Sequence, residues 1–129
     1  MHVESVQVAT PRPSTAARLG STGIHKEPVG RARVEVAGVV GDVVVDTEVH
    51  GGPDQAVYVY GRDDYDAWAG ELDRALPPGL FGENLTLSSL GPPPIRVGDR
   101  YRIGEALLEV TSPRIPCATF QEKLGARDW

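Results

Sequence analysis

The stretch "SPRIPCATF", residues 112 to 120, carries the only cysteine of the chain, Cys117. A thiolate attacks electrophiles and ligates soft metals, and its surroundings decide whether the thiol ionises. Here Pro116 holds Ile115 extended, a helix is predicted to begin at Ala118, and Arg114 lies three residues upstream. A helix start and a cation both favour the thiolate. A free cysteine is also among the most buried residue types and often packs inertly. Local features alone leave packing the commoner outcome.

Four other polar groupings have types and spacings that chemistry can use. His50-Gly51-Gly52-Pro53-Asp54 places two glycines after a strand-like run, where backbone N–H groups can converge on an anion and His50 can add a hydrogen bond. As spacing, a glycine pair is first a turn signal. Asp46, Glu48 and His50 alternate and would share one strand face, a set that iron or manganese could use and that more often is a solvated strand face. Glu83 and Asn84, in "FGENLTL", stand between a glycine turn and a strand; they either satisfy loop backbone or face a pocket, where Asn84 could read a ring amide. Lys26, beside Glu27, is the fourth, a surface lysine unless something recruits it. Closed structural zinc is excluded, because one cysteine and three scattered histidines lack the paired spacing.

The elements that must position these groups are mostly strands. "VESVQV" alternates as a first strand, and "TPRPSTAARLGSTG" reads as a long polar loop. "ARVEVAGVVGDVVVDTEV" places Val34 and Val36 on one face, breaks at Gly38 and Gly41, and resumes as an apolar strand up to His50. "AVYVY" is a short buried strand. "RDDYDAWAGELDRAL" is the one clear amphipathic helix, with Tyr65, Trp68, Ala69, Leu72, Ala75 and Leu76 at three-four spacing. Its early aspartates, Asp63, Asp64 and Asp66, suit the positive end of the helix dipole. "RYRI" and "ALLEV" flank Gly104-Glu105 as a tight hairpin with glycine first. "ATFQEKLGARDW" starts as a second, short helix. The expected fold is therefore mostly β, with an antiparallel, barrel-like sheet, one inserted helix and a short C-terminal helix.

Composition narrows the function classes. At 129 residues one domain is expected, spanning 1–129. Thirteen basic against eighteen acidic residues, net −5, argue against a nucleic acid polymer as partner. No apolar run approaches the roughly 18 residues that cross a bilayer, so no membrane partner is expected. A single cysteine forms no intrachain disulfide, and "MHVESVQVATPRP" lacks a signal-peptide pattern, so the expected location is cytoplasmic.

Taken in order, "GIHKEPV", "GVVGD", "DTEVHGGPDQAVYVY", "YDAW", "LFGENLTL" and "VGDRYRIGEALLEVTSPRIPC" resemble the MOSC domain, the family found at the C-terminus of molybdenum cofactor sulfurase and in stand-alone bacterial proteins. The ordered set is specific where each piece is weak. The "HGGPDQAVY" and "FGENL" forms are similar to the stand-alone branch, and a pyridoxal-phosphate domain is not expected.

The resemblance implies a β-barrel-rich domain in which Cys117 binds the molybdenum of a molybdopterin cofactor. It places Lys26, His50, Gly51, Gly52, Asn84 and Arg114 around the cofactor: phosphate or pterin contacts for Lys26, Arg114 and the glycine amides, pterin hydrogen bonding for Asn84, orientation for His50. It implies oxygen removal from N-hydroxylated substrates of the hydroxylaminopurine or amidoxime type. The electrons would come from a separate reductase or ferredoxin-type partner, since one cysteine holds no iron–sulfur cluster. A non-catalytic carrier of sulfur or cofactor is the alternative. Longer relatives continue with further strands and a helical tail, so a shortened form, or a homodimer that completes the sheet, is also expected.

Overall fold

The computed structural model describes residues 1–125. In chain order the elements are β1 (Val3–Ala9), β2 (Arg12–Pro13), β3 (Ser21–Thr22), β4 (Lys26–Val29), β5 (Val34–Glu35), β6 (Gly38–Val39), β7 (Val59–Gly61), α1 (Arg62–Leu72), β8 (Leu85–Leu87), β9 (Arg100–Ile103), β10 (Ala106–Glu109) and α2 (Ala118–Leu124). The end of "ATFQEKLGARDW" lies outside the described residues.

Four strands form the main sheet in the order β4-β1-β8-β7. β1 pairs antiparallel with both neighbours, whereas β7 and β8 run parallel. A parallel pair needs a crossover, and α1 lies within it. The fold is mostly β with two helices, as the sequence leads one to expect. Among the described residues the sheets do not close into a barrel, and three two-stranded pairs (β2–β3, β5–β6 and β9–β10) stand apart from the main sheet. The β9–β10 hairpin has the expected register, Ile103 opposite Ala106, with Gly104 at φ 58°.

The core is aromatic. Tyr65, Leu76 and Phe81 are buried, with Tyr60, Ala69, Leu72, Leu80 and Phe120 packed against them. α1 turns Tyr65 inward, as its three-four spacing dictates, but Trp68 stays 40 % exposed. The helix ends earlier than its pattern suggests, at Leu72, where Asp73 enters the left-handed region at φ 49°. On β1 the inward face carries Gln7 and Ala9, both essentially buried. Gln7 is tolerated there because its amide donates to Thr86 Oγ1 at 3.0 Å.

One expected strand does not form. Residues 42–50 have no sheet partner, and Val36, expected on a strand face, is 80 % exposed. Side-chain and turn bonds replace a ladder. Asp42 Oδ1 accepts the Ala9 amide at the end of β1 (2.8 Å), and the His50 amide bonds the Asp46 carbonyl (3.0 Å). The segment lies so close to Gly23 that a Cβ there would sit 2.2 Å from the Val43 carbonyl oxygen. Only glycine allows that approach.

Candidate functional site

A cleft of about 520 Å³ opens where β4, the 42–57 segment, the turn before β8 and the chain leading into α2 meet. Of the seven residues singled out from sequence, Lys26, His50, Gly51, Asn84, Arg114 and Cys117 line it. Gly52 does not. It sits at the start of the 3-10 turn Pro53–Gln55, where its carbonyl accepts the Gln55 amide at 3.1 Å. Leu19, Val49 and Ile115 line the cleft too and are more than half exposed. The cleft thus has a polar interior and an apolar fringe.

Asp42 organises one part of it. Lys26 Nζ donates to both Asp42 oxygens (2.8 and 2.7 Å), and the two side chains are only 9 % and 8 % exposed. Asn84 Nδ2 donates to Asp42 Oδ2 at 2.8 Å and to the Gln7 carbonyl at 3.3 Å, while Asn84 Oδ1 accepts the Tyr58 amide at 3.1 Å. Sequence reasoning missed Asp42. It is a lone acid in "GVVGD", and nothing local shows that three partners from distant segments converge on it.

The neighbouring Glu83 points away from the cleft. Fully buried, its Oε1 accepts the Tyr65 hydroxyl (2.6 Å), the Gly79 amide (2.7 Å) and the Thr86 hydroxyl (2.7 Å). Gly79 is confined to glycine: its φ is +86°, and a Cβ would stand 2.5 Å from the Lys26 carbonyl oxygen. Glu83 therefore ties the loop to α1, and Asn84 ties it to β1 and Asp42.

The other part of the cleft is built by the segment entering α2. Cys117 has extended backbone, φ −134°, ψ 171°, and is half-buried. Its sulfur lies 3.0 Å from Thr119 Oγ1. Burial pushes the thiol up, but the Thr119 hydroxyl, the backbone amides of Phe120 and Thr119 and the Arg114 charge together hold it below its ordinary value. Arg114 places its guanidinium carbon 5.5 Å from the Tyr58 ring centroid. His50 is held below its ordinary value first by burial and then by the Arg114 charge, against weaker opposing effects of Gln55 and Asp46.

Charge pairing separates the cleft cations. Lys26 is neutralised by Asp42, and Arg18 binds Asp46 (2.6 Å) and Glu48 (3.0 Å). Arg114 has no ion-pair partner among the described residues. The Asp46, Glu48 and His50 set expected on one strand face is thereby corrected. No strand forms, both carboxylates engage Arg18, and no cluster of three metal-ligating side chains occurs among the described residues.

α2 is fastened from several directions. Glu122 accepts from the Ser14 and Thr15 hydroxyls, Arg74 donates to the Leu124 carbonyl at 2.8 Å, and Lys123 Nζ donates to the carbonyls of Ile24 (2.9 Å) and Gly79. Burial pushes Lys123 down to about 8 despite the opposing pull of Glu83. These long-range ties have no sequence signal; they fix where the thiol stands.

Residues 46–129 match the family profile of the MOSC domain. The chain belongs to the MOSC domain family. This MOSC chain is 39% identical over 108 residues to the uncharacterized protein YflK of Bacillus subtilis (strain 168), covering 83% of this chain and 49% of YflK. It is 38% identical over 88 residues to a protein named "Reductase" from Gibberella moniliformis (strain M3125 / FGSC 7600), covering 62% of this chain and 15% of that protein. Among solved structures, YiiM from Geobacillus stearothermophilus superposes with a TM-score of 0.72 at 28% identity, over 96% of this chain and 56% of YiiM. The chain spans about half the length of YflK and a smaller part of the reductase. Among the described residues no helix is long and apolar enough to cross a membrane.

Proposed function

We propose that this MOSC chain holds molybdenum cofactor through the Cys117 thiolate and serves the reduction of N-hydroxylated compounds. The observation that carries the reading is the pairing of a half-buried, acidified thiol with Arg114, a cation with no carboxylate partner among the described residues, in one cleft. Both fit the group: thiolate sulfur suits a soft metal site, and an uncompensated guanidinium suits a phosphate. Molybdenum bound there would supply two-electron oxygen-removal chemistry.

Around such a group the protein's own residues have separable tasks. Cys117 is the ligand. The Thr119 hydroxyl and the backbone amides of Thr119 and Phe120 favour its ionised form. Arg114 binds the anionic end of the cofactor, and His50, kept neutral near pH 7, can donate or accept one hydrogen bond without adding charge. Lys26 and Asn84, with their polar atoms held in the Asp42 cluster, form a fixed wall that shapes that side of the cleft for the pterin. The net reaction converts N–OH to N–H and releases water, consuming two electrons and two protons. A separate reductase or ferredoxin-type protein supplies the electrons.

The test is metal and pterin analysis of the purified protein. Near-equal molybdenum and pterin are expected, and Cys117→Ala should lose the metal. Full metal retention by that variant overturns Cys117 as the ligand. A loaded protein that fails to reduce an amidoxime with any electron donor is instead a carrier.

A further inference from the structure

A second cavity, about 240 Å³, adjoins the cleft and has no part in the chemistry above. Tyr58 and Arg114 line both spaces, Cys117 lines the first, and Pro116 and Phe120 line the second. The segment from Arg114 to Phe120 is thus the partition between them.

The walls of the second cavity are rings. Tyr60 and Phe81 stack with centroids 4.5 Å apart at 22°, and Phe120 tilts against Phe81 at 5.6 Å. The Trp68 indole N–H donates to the Tyr60 hydroxyl at 3.0 Å, which fixes the exposed ring against the stack. Glu71 and Arg114 are the charged residues of the lining. Phe81 is buried behind the other rings, while the partly exposed rings of Tyr60, Phe120 and Trp68 offer a pre-ordered apolar surface that a complementary flat face would cover, gaining stacking geometry as well. A saturated ring of similar size gains only the area.

We infer that this cavity is a ring-binding subsite, taking the flat aromatic or heteroaromatic part of a ligand whose polar end passes Arg114 into the cleft. Trp68, Tyr60 and Phe120 set its preference for planar groups. That the polar end is the reacting N–OH group rests on the proposed function; ring binding itself does not.

The experiment uses the purified chain and two neutral probes, benzamide and cyclohexanecarboxamide, with affinity read by calorimetry and contacts by saturation-transfer NMR. Benzamide should bind about three- to tenfold more tightly than its saturated counterpart. Trp68→Ala, at a partly exposed site, should remove that preference, and Phe120→Leu, which keeps the apolar volume, should reduce it. Equal affinities, or a preference that survives both variants, overturn the subsite. Benzamide affinity that weakens as protein concentration rises overturns it too, because a second copy then covers the rings. If molybdenum is absent while the planar preference holds, the cofactor reading fails and the subsite stands; the reverse pattern separates them the other way.

Discussion

Two parts of one cleft treat their polar groups differently. Around Asp42, the ammonium of Lys26, the amide of Asn84 and the backbone N–H of Ala9 all donate to one carboxylate and are nearly sealed from water. Before α2, Cys117, Arg114 and His50 are half-buried or exposed, and the Arg114 charge lowers both the thiol and the imidazole through space. The first arrangement holds the fold, because a buried charge must be compensated internally. The second leaves charge and sulfur available, as a ligand site requires.

Breaking the first part should have the largest effect. Asp42→Ala leaves a buried ammonium and two donors without their acceptor, so unfolding stability should fall by about 3–5 kcal/mol in urea titration. The paired change Lys26→Met with Asp42→Leu should recover the part of that loss owed to the unpaired ammonium, while the Ala9 and Asn84 donors stay without their acceptor. A loss from Asp42→Ala no larger than that of an ordinary surface substitution would show that the cluster is not structural.

Next in size is the Lys123 anchor of α2, whose pKa is depressed from 10.5 to about 8. Between these values the unfolded chain binds more protons than the folded one, so stability rises with pH through this window. The contribution is complete above 10.5 and is lost as pH falls through about 8. Lys123→Met should flatten this slope in the urea midpoint; an unchanged slope assigns it to another group.

On the open side, stability should hardly move. Cys117→Ala should change unfolding free energy by no more than about 1 kcal/mol, since a half-exposed thiol leaves little cavity. A much larger loss would return Cys117 to packing. Smallest of all is the coupling between Arg114 and His50. Arg114→Gln should move the His50 NMR titration midpoint upward, toward 6.5, by removing the second-largest cause of its depression. Any stabilisation from neutral His50 is present above 6.5 and lost as pH falls through its lower folded value. A midpoint that stays put separates the two groups electrostatically.

Much of the fold was legible wherever periodicity is local. The first strand, the β9–β10 hairpin and both helices announce themselves through alternation, a glycine-first turn and three-four spacing. The apolar run into His50 misled, because valines favour strands only when a partner strand is there to pair with. Val49 instead fringes the cleft. Of the seven residues named from sequence, the structure brings six to one cleft, and only Gly52 falls outside it.

By itself the sequence determined the residue chemistry: one thiol, a cation three residues before it, a helix start after it, and an ordered set of motifs shared with the MOSC family. The tertiary structure alone decided which charges are free. Lys26 and Arg114 look equivalent as letters, yet Asp42 reaches Lys26 from 16 residues away while Arg114 meets an aromatic ring. Electrostatic roles depend on distance and burial, and the chain acquires both only when its distant segments fold together.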